Sequence, residues 1–546
     1  MSMSSAVVRV KGRVRSTALV FALAAAGCGD RGPESPRTLL PSTAVVAVAA
    51  AATTILPPLA AVALDFELAT AVYLGLNYGE WADGELVFTP DHPLGLARSW
   101  EIDGSSLTYR LDPDRVWSDG TPITSADVAF TFELLQDAEL ALPLGSVAER
   151  IDSLVVVDDA TVVFHFDGEY PGMLFDTGVG ILPAHVFADV DRSLMTGGMP
   201  VSPVRRPLPS SGPFTVGHWD PADRIELERN TASAAAAGLD RVIVRVVPDE
   251  TTRLAELRAG SADAAQLNSF RSLRQAEDGG LRVGAIPQRG YDYIAWNPTA
   301  HPAFATVTGR RALSLAIDRE AAIAALDMIG FAEAAWGPYG SLFSPLRSPP
   351  PAEPLLDRDE AARALDAAGW VDSDGDGIRD LDGRPLAFEL AIPSGNDRRE
   401  DAAELVRDAY ARLGIEATVR PQEFNSLLSR MVAGEYEAAL MGWQVGLAPD
   451  ISMFWSDPGL PLNVVAYSSP ETRASIESAQ AEATAVAAAP HWRAAAARIA
   501  ADYPYAFLWY FDVPFVTRPE LEGVRVTPSG WGAHLWEWRR AEPGSP

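Results

Sequence analysis

The chain has 546 residues, with 44 Lys and Arg against 73 Asp and Glu, so its formal net charge at pH 7 is −29. Binding to phosphates needs clustered cations, and this excess of carboxylates argues against a nucleic acid partner. One hydrophobic core does not grow to this length, so two or three domains are expected. The acidic composition suits an exported protein, or one that receives neutral or cationic ligands.

The amino terminus has the pattern of an export signal. Four cations precede an apolar stretch at residues 16–27, and Cys28, the only cysteine, follows directly. A basic segment, a short apolar segment and small residues before the cleavage point are typical of secretion signals, which predicts removal of residues 1–27. A single cysteine also excludes an internal disulfide.

The residues before Cys28 indicate a lipid anchor. Ala25, Ala26 and Gly27 precede it, and this order resembles the lipobox of bacterial lipoproteins, in which the cysteine is lipidated and becomes the new N-terminus. The resemblance implies a periplasmic lipoprotein that is anchored to the membrane through Cys28. An ordinary cleaved signal with an incidental thiol is the alternative.

Residues 44–64 carry no charge over 21 positions, which is long enough to cross a bilayer. The segment consists largely of Ala and Val, is interrupted at Pro57 and Pro58, and has no flanking cations. We therefore predict a buried first strand at residues 44–50 followed by a turn. A membrane span is the alternative.

Further along, apolar strand patterns alternate with Ala-rich helical segments, which predicts a mixed α/β protein. Strands are expected at residues 107–111, 161–166, 241–247 and 436–441. Helices are expected at residues 125–138, 251–259, 309–328, 359–368, 400–413 and 470–501. Thr124 or Ser125 is placed to cap the first helix, and Gly369 and Gly414 to end two others. A Pro-rich stretch at 201–212 predicts a crossing between domains.

Several motifs occur in the order found in one protein family. They are PLGLARSWEID at 93–103, WSDGTPIT at 117–124, ILPAHVF at 181–187, SGPFTV at 211–216, LSLAIDRE at 313–320 and AGWVDSDGDGIRD at 368–380. Together they resemble the family 5 solute-binding proteins of the peptide/nickel type, which serve ABC importers. Within the second motif, a turn at Asp119 and Gly120 leads into a capped helix, so Asp119 and Asp127 are predicted to have scaffold roles rather than catalytic ones.

The resemblance implies an α/β, periplasmic-binding-protein-like fold with two lobes, an extra inserted domain and a hinge between the lobes. Ligand binding would stabilise the closed state, which the ABC permease in the inner membrane recognises. By analogy, the parts are lobe I at residues 39–74, 201–290 and 512–546, the inserted domain at 75–200, lobe II at 291–511, and the lobe boundary near 244–248 and 508–514.

Aromatic and amide side chains are the best candidates for ligand contact, because flat apolar faces with a hydrogen-bonding edge suit a cleft that closes over a small polar solute. The candidate ligand-binding residues are Tyr73, Asn77, Tyr78, Tyr291, Tyr293, Asn297, Trp336, Trp443, Asp450 and Trp455. Trp81 is grouped with Tyr73, Asn77 and Tyr78, which lie early in the chain. Any one of them can instead be a core residue.

Trp443 follows Met441 and Gly442 and resembles the family tryptophan that faces the cleft. In oligopeptide- and dipeptide-binding members, an aspartate three residues later pairs with the α-amino group of the peptide, and here that position is Gly446. Loss of such a pair removes about 1.5–3 kcal/mol, although Asp450 is near enough in sequence to replace it. Residues 231–238, mostly alanine, also depart from the family pattern. Peptides, sugars, opines and other modified solutes are therefore all retained as candidate ligands.

An acidic loop resembles the opening of a calcium site. Asp372, Asp374 and Asp376 stand at positions 1, 3 and 5 and Gly377 at position 6, but position 12 is Gly383 instead of the required Glu. With Asp380 and Asp382 as substitutes for that Glu, these carboxylates are candidate ligands of a calcium site. A solvated turn is the alternative, and no other cofactor is expected.

Neither a nucleophile elbow nor a zinc motif is present, and the seven histidines are scattered, so no enzyme activity is predicted. The sequence favours a monomeric lipoprotein that captures a peptide or similar solute and delivers it to an ABC permease. A sensory or structural lipoprotein with the same fold is the alternative.

Overall fold

The computed structural model describes residues 42–541 apart from 83–84, 141, 193–207, 221–222, 288 and 352–353. The predicted signal at residues 1–27, Cys28 and the first part of the 201–212 crossing lie outside the described residues.

Strands and helices alternate along the chain, which confirms the α/β class. The strands are β1 (Thr43–Val48), β2 (Gly79–Ala82), β3 (Glu85–Phe88), β4 (Ala97–Asp103), β5 (Ser106–Leu111), β6 (Ile151–Asp158), β7 (Thr161–Phe166), β8 (Phe214–Asp220), β9 (Arg224–Arg229), β10 (Arg241–Val246), β11 (Ala264–Gln266), β12 (Arg282–Ile286), β13 (Gly290–Trp296), β14 (Ala332–Ala334), β15 (Asp380–Leu381), β16 (Arg384–Pro385), β17 (Ala387–Pro393), β18 (Glu416–Gln422), β19 (Ala438–Gln444), β20 (Tyr505–Phe511), β21 (Val513–Thr517), β22 (Leu521–Glu522) and β23 (Arg539–Arg540).

The helices are α1 (Ala63–Val72), α2 (Ser125–Leu135), α3 (Met173–Asp176), α4 (Ala184–Phe187), α5 (Glu250–Ala259), α6 (Phe270–Asp278), α7 (Pro302–Ala305), α8 (Val307–Leu315), α9 (Arg319–Ala325), α10 (Arg358–Ala367), α11 (Asp397–Ala411), α12 (Phe424–Val432), α13 (Ser452–Trp455), α14 (Pro470–Gln480) and α15 (Ala485–Asp502). Two long predicted helices are wrong as single elements. The segment 309–328 breaks because Asp318 accepts a hydrogen bond from the Ala321 N–H and starts α9. The segment 470–501 breaks because Thr484 caps α15 in the same way.

A seven-stranded sheet has the order β12-β21-β11-β1-β10-β9-β8, with β1 parallel to β10 and β11. Every residue of β1 is buried, which confirms the predicted first strand. Ala44, Val46 and Val48 belong to one hydrophobic cluster, core I, while Val45 and Ala47 belong to a second, core II. This sheet is therefore covered on both faces. Among the described residues, no helix is both long enough and apolar enough to cross a membrane.

A four-stranded antiparallel sheet, β4-β5-β7-β6, also packs into core I. Its helix α2 is held by Asp127, whose carboxylate accepts hydrogen bonds from the backbone N–H groups of Thr124 (2.9 Å) and Ala184 (2.8 Å) and from Trp117 Nε1 (3.4 Å). Trp117 is fully buried. The motif at 117–124 thus has the structural role that the sequence indicates.

A six-stranded sheet has the order β14-β20-β13-β19-β17-β18. Its central strand β13 has two different faces: Ile294 and Trp296 enter core II, whereas Tyr291 and Tyr293 enter a third cluster, core III. The chain passes between the two large sheets twice, from β12 to β13 and from β20 to β21. These passages are neighbours, because Ile286 pairs with Val513 on one side and Tyr291 with Tyr510 on the other.

An ionic network lies beside these passages. Asp292 is fully buried, and its carboxylate contacts Arg398 Nη2 at 2.9 Å, Arg399 Nη2 at 3.0 Å and Trp509 Nε1 at 3.0 Å. Burial acts against the charged carboxylate, yet the two guanidinium groups hold the pKa of Asp292 below its ordinary value. The Arg398 guanidinium also lies 3.8 Å above the ring of Phe511. The start of α11 is thereby fixed to β13 and β20.

Asp292→Asn is expected to lower the free energy of unfolding by about 3–5 kcal/mol, because it leaves two largely buried guanidinium groups without a charge partner. Urea unfolding measures the change. Asp408→Asn is the matched control, since Asp408 pairs with Arg407 in the exposed part of the same helix and its loss is expected to cost less than about 1 kcal/mol. Equal effects of the two variants would contradict this account.

Glu67 of α1 is a buried carboxylate that binds the C-terminal part of the chain. It accepts hydrogen bonds from the backbone N–H groups of Trp531 and Gly532. Burial raises the pKa of Glu67 from 4.5 to about 8, and these two hydrogen bonds oppose the rise. Since the folded-state pKa lies above the unfolded one, the stability that Glu67 contributes is complete below pH 4.5 and is lost as the pH rises through about 8.

For Glu67→Gln we expect a flatter pH dependence of stability, because glutamine has no charge to bury. Between about pH 5 and pH 8, the free energy of unfolding of the wild type should fall by on the order of 3 kcal/mol more than that of the variant. Denaturant unfolding at both pH values tests this. Parallel pH curves for the two proteins would show that Glu67 does not titrate in this range.

Candidate ligand-binding site

Core III contains an aromatic stack on strands β13, β19 and β20. The ring of Tyr293 is stacked on Tyr505, at 4.1 Å between ring centroids, and on Trp443, at 5.9 Å, and the planes of both pairs are inclined by 20°. Trp455 packs on Tyr505 from another direction, with centroids 4.8 Å apart. Three predicted ligand residues, Tyr293, Trp443 and Trp455, therefore meet in one cluster, and Tyr291 adjoins it at 5.8 Å from Tyr293.

Trp443 is the half-buried member of this stack. It lies opposite Tyr291 in the antiparallel register of β13 and β19. Its Nε1 donates a hydrogen bond to the Tyr505 hydroxyl (3.2 Å), and Phe454 lies 5.1 Å from its ring. The indole is thus held in one orientation by neighbours on three elements while part of its surface stays open to solvent.

Core III also holds polar atoms that the fold does not fully satisfy. The hydroxyls of Tyr291 and Tyr293 and the Nε1 of Trp455 are buried, and none of them makes a hydrogen bond of good geometry among the described residues. Tyr291 lies beside Trp455 and Tyr293 beside Tyr505, so these polar atoms are only partly satisfied by one another. Burial raises the pKa of both tyrosine hydroxyls, so both stay protonated as possible donors. Unpaired buried polar groups cost free energy, and a binding site is one place where such a cost is retained.

Asp450 lies at the edge of core III. Its carboxylate accepts hydrogen bonds from the Ser452 N–H (2.7 Å) and Gln480 Nε2 (2.8 Å), both neutral donors. Across from it, burial raises the pKa of Asp176 at the end of α3 to about 6. The Tyr170 hydrogen bond and the Arg150 guanidinium oppose this rise, and the Asp450 carboxylate adds to it. An element of the core I side therefore comes close to Asp450.

Tyr73, Asn77 and Tyr78 are placed apart from the stack, against core I. The ring of Tyr73 packs on Trp117 at 6.4 Å, and Asn77 Nδ2 donates to the Tyr109 hydroxyl at 2.5 Å. The Tyr78 hydroxyl donates to the carbonyl oxygen of Ala533, at 3.2 Å.

Asn297 and Trp336 are likewise outside the stack. Asn297 Nδ2 donates to the carbonyl oxygens of Gly434 and Tyr436, both at 2.9 Å, which ties two turns together. Trp336 Nε1 donates to the Ser348 carbonyl oxygen (3.2 Å), and the Arg347 guanidinium lies 3.8 Å above its ring.

The acidic loop brings together three of its predicted ligands. Asp372, Asp374 and Asp376 are exposed and each offers one oxygen within 4.8 Å of the others. The Asp380 carboxylate instead accepts hydrogen bonds from the backbone N–H (3.0 Å) and the hydroxyl (2.6 Å) of Ser373. The arrangement in this structure is that of a hydrogen-bonded turn.

Several residues at the stack were missed by the sequence analysis. Tyr505 and Phe507 are two residues apart in β20 and both enter core III. Tyr339 and Phe343 also belong to core III. The alternation of Tyr505 and Phe507 in the run YAFLWYF at 505–511 was a usable signal, because residues two apart in a strand share a face. A register shift opposite Asp292 and Tyr293 then places Trp509 and Phe511 in core II instead. The turn containing Tyr339 and Phe343 had no comparable pattern.

Relatives of known identity share this architecture. Residues 93–458 match the bacterial extracellular solute-binding proteins, family 5 Middle. The oligopeptide-binding protein AppA of Bacillus subtilis (strain 168) is 28% identical over 466 residues, covering 82% of this chain and 83% of that protein. The structure of B. subtilis AppA in complex with a nonapeptide has a TM-score of 0.74 at 25% identity and covers 92% of this chain and 99% of that one.

Two more distant structures show the same two-lobed fold and confirm the predicted fold class. NikZ from Campylobacter jejuni in complex with Ni(L-His) has a TM-score of 0.77 at 20% identity, covering 92% of this chain and 100% of that one. DppA from Helicobacter pylori in complex with the peptide STSA has a TM-score of 0.72 at 21% identity, covering 92% and 98%. Because the family match extends over more than half of the chain, the protein belongs to family 5 of the bacterial extracellular solute-binding proteins.

Proposed function

We propose that this protein is the extracytoplasmic substrate-binding lipoprotein of an ABC importer, and that it captures a peptide or a similar small polar solute between two lobes. The observation that carries the proposal is the half-buried Trp443, which shares core III with buried tyrosine hydroxyls that lack a hydrogen bond of good geometry. An aromatic face with hydrogen-bonding groups in the same cluster suits the backbone and side chains of a short peptide. The solute leaves unchanged, as a monomeric carrier delivers it to the permease.

Lobe I is assigned to residues 39–74, 201–290 and 512–546, the inserted domain to 75–200 and lobe II to 291–511. The sheets support this division, because the seven-stranded sheet takes its strands from the first set and the six-stranded sheet from the last. The passages beside Ile286 and Tyr510 then form the hinge. Closure about two short connections moves the lobes without disturbing either sheet.

The solute class is the least constrained part of the proposal. Gly446 is exposed and offers no carboxylate. The hydrogen bonds that the structure describes at the Asp450 carboxylate come from neutral donors, which leaves its charge available to a cationic group of a ligand. B. subtilis AppA has been solved with a nonapeptide and C. jejuni NikZ with Ni(L-His). Short peptides and the nickel–histidine complex are therefore the first probes to use.

Thermal unfolding with a panel of tri- to nonapeptides and Ni(L-His) tests capture. A ligand at a hundred times its Kd stabilises the folded state by about 2.7 kcal/mol, which raises the Tm by a few degrees. We expect Trp443→Ala to bind the responding probe ten- to a hundredfold more weakly, as loss of an aromatic contact predicts.

Trp100→Ala is the control, because Trp100 is also half-buried but packs on Tyr109 of the four-stranded sheet. An unchanged affinity of Trp443→Ala would remove this residue from the site. No response to any probe favours the sensory or structural alternative, and conversion of a probe to product would contradict a carrier role.

Anchoring through Cys28 is a separate part of the proposal. Expression of the full chain in a bacterium is expected to give a membrane-bound product whose N-terminal cysteine carries lipid by mass spectrometry. Cys28→Ser should move the protein into the soluble fraction and leave its thermal unfolding unchanged. A soluble wild type with an unmodified thiol would contradict lipidation.

A further inference from the structure

Strands β2 and β3 form a hairpin, residues 79–88, that we call the strap. Its two strands pair with each other and with no other described strand. The base of the strap is fixed on the core I side, where Tyr78 stacks on His92 with ring centroids 4.7 Å apart and packs against core I. A two-stranded hairpin alone is marginally stable, so its contacts with the rest of the chain decide where it lies.

Beyond its base, the strap reaches a different core. Trp81 is half-buried and packs against core III, and its ring meets Phe343 edge-to-face, with centroids 6.0 Å apart and planes inclined by 82°. Phe343 in turn packs on Tyr339 at 5.7 Å. The Tyr339 hydroxyl donates to the Pro449 carbonyl oxygen at 2.5 Å, beside Asp450. Trp81 therefore packs against core III, the cluster that also contains the candidate ligand residues of the stack.

We propose that Trp81 is a latch residue: its contact with Phe343 holds the two lobes closed and slows the departure of a captured solute. The inference rests on the proposed function, since capture requires closure. The strap belongs to the inserted domain, which shares core I with lobe I, and Phe343 belongs to lobe II, so opening of the lobes must break this pair. A contact made only in the closed state shifts the population toward that state by its own free energy.

The magnitude fits a reversible latch. Edge-to-face aromatic pairs contribute enough to change an equilibrium about two- to tenfold. Such a contact favours closure without locking it, so release to a permease stays possible. A buried ion pair such as that of Asp292 would hold the lobes too firmly for the solute to be released.

Distance measurement on the ligand-free protein tests the latch. Spin labels at Glu101→Cys and Asp401→Cys, both exposed, report the separation of the lobes in a full chain that also carries Cys28→Ser. We expect Trp81→Ala to lower the ratio of closed to open molecules about two- to tenfold. An unchanged distance distribution would overturn the proposal.

A double-mutant cycle separates a direct contact from a loss of folding. Trp81→Ala, Phe343→Ala and the double variant should shift the distances by the same amount, because each removes the one pair. Val87→Ala, an exposed position on the same hairpin, should leave them unchanged. Additive shifts, or an equal shift in the Val87 variant, would contradict the latch.

The test is independent of solute capture. If no probe binds but the Trp81 and Phe343 variants open the ligand-free protein, the proposed function fails and the latch remains. If a probe binds with unchanged affinity and dissociation rate in Trp81→Ala, and the distances do not move, the latch fails and the proposed function remains. With both correct, the bound probe should leave Trp81→Ala about two- to tenfold faster.

Discussion

The alternation of side chains along strand β13 is the constraint on which the ionic network and the aromatic stack both depend. Tyr291 and Tyr293 face core III, and between them Asp292 faces the opposite side, where Arg398 and Arg399 lie. A slip of one residue would exchange the two faces, placing a carboxylate among aromatic rings and a tyrosine between two cations. The ionic contacts on one face of β13 and the aromatic contacts on the other therefore favour the same strand register.

The same register explains the glycine before Trp443. Gly442 lies opposite Asp292, and a Cβ at this position would stand 2.3 Å from Arg399 Nη2 and 2.6 Å from Asp292 Oδ1. A side chain at this position would push the Arg399 guanidinium away from Asp292, so glycine preserves the network. The next residue along the strand points to the other face, which places Trp443 on the stack. One short segment thus serves the ionic network with its glycine and the candidate site with its tryptophan.

Sequence patterns predicted what depends on local periodicity. Residues 161–166 form a strand with the expected bounds, and the first strand is buried as its Ala and Val content indicates. The pairing of Asp292 with Arg399, 107 positions later, left no local signal, because it arises only when α11 packs over β13. Aromatic composition selected Tyr293 and Trp443 as candidates, and the structure places them in one stack. Which other aromatic residues join them is decided by strand order, and Tyr73 and Trp336 lie elsewhere.

In the proposed carrier, the division of strong and weak contacts follows from what must move. The Asp292 network joins β13, β20 and α11, all within the six-stranded sheet region, so hinge motion leaves it intact and its large free energy does not enter the opening equilibrium. The Trp81 and Phe343 contact joins the inserted domain to lobe II and is the part that opening removes. A solute shifts a two-state equilibrium only by its differential affinity for the states, so a strong interlobe contact would make the carrier insensitive to its ligand. A rigid six-stranded sheet region and a weak latch contact together keep closure dependent on the solute.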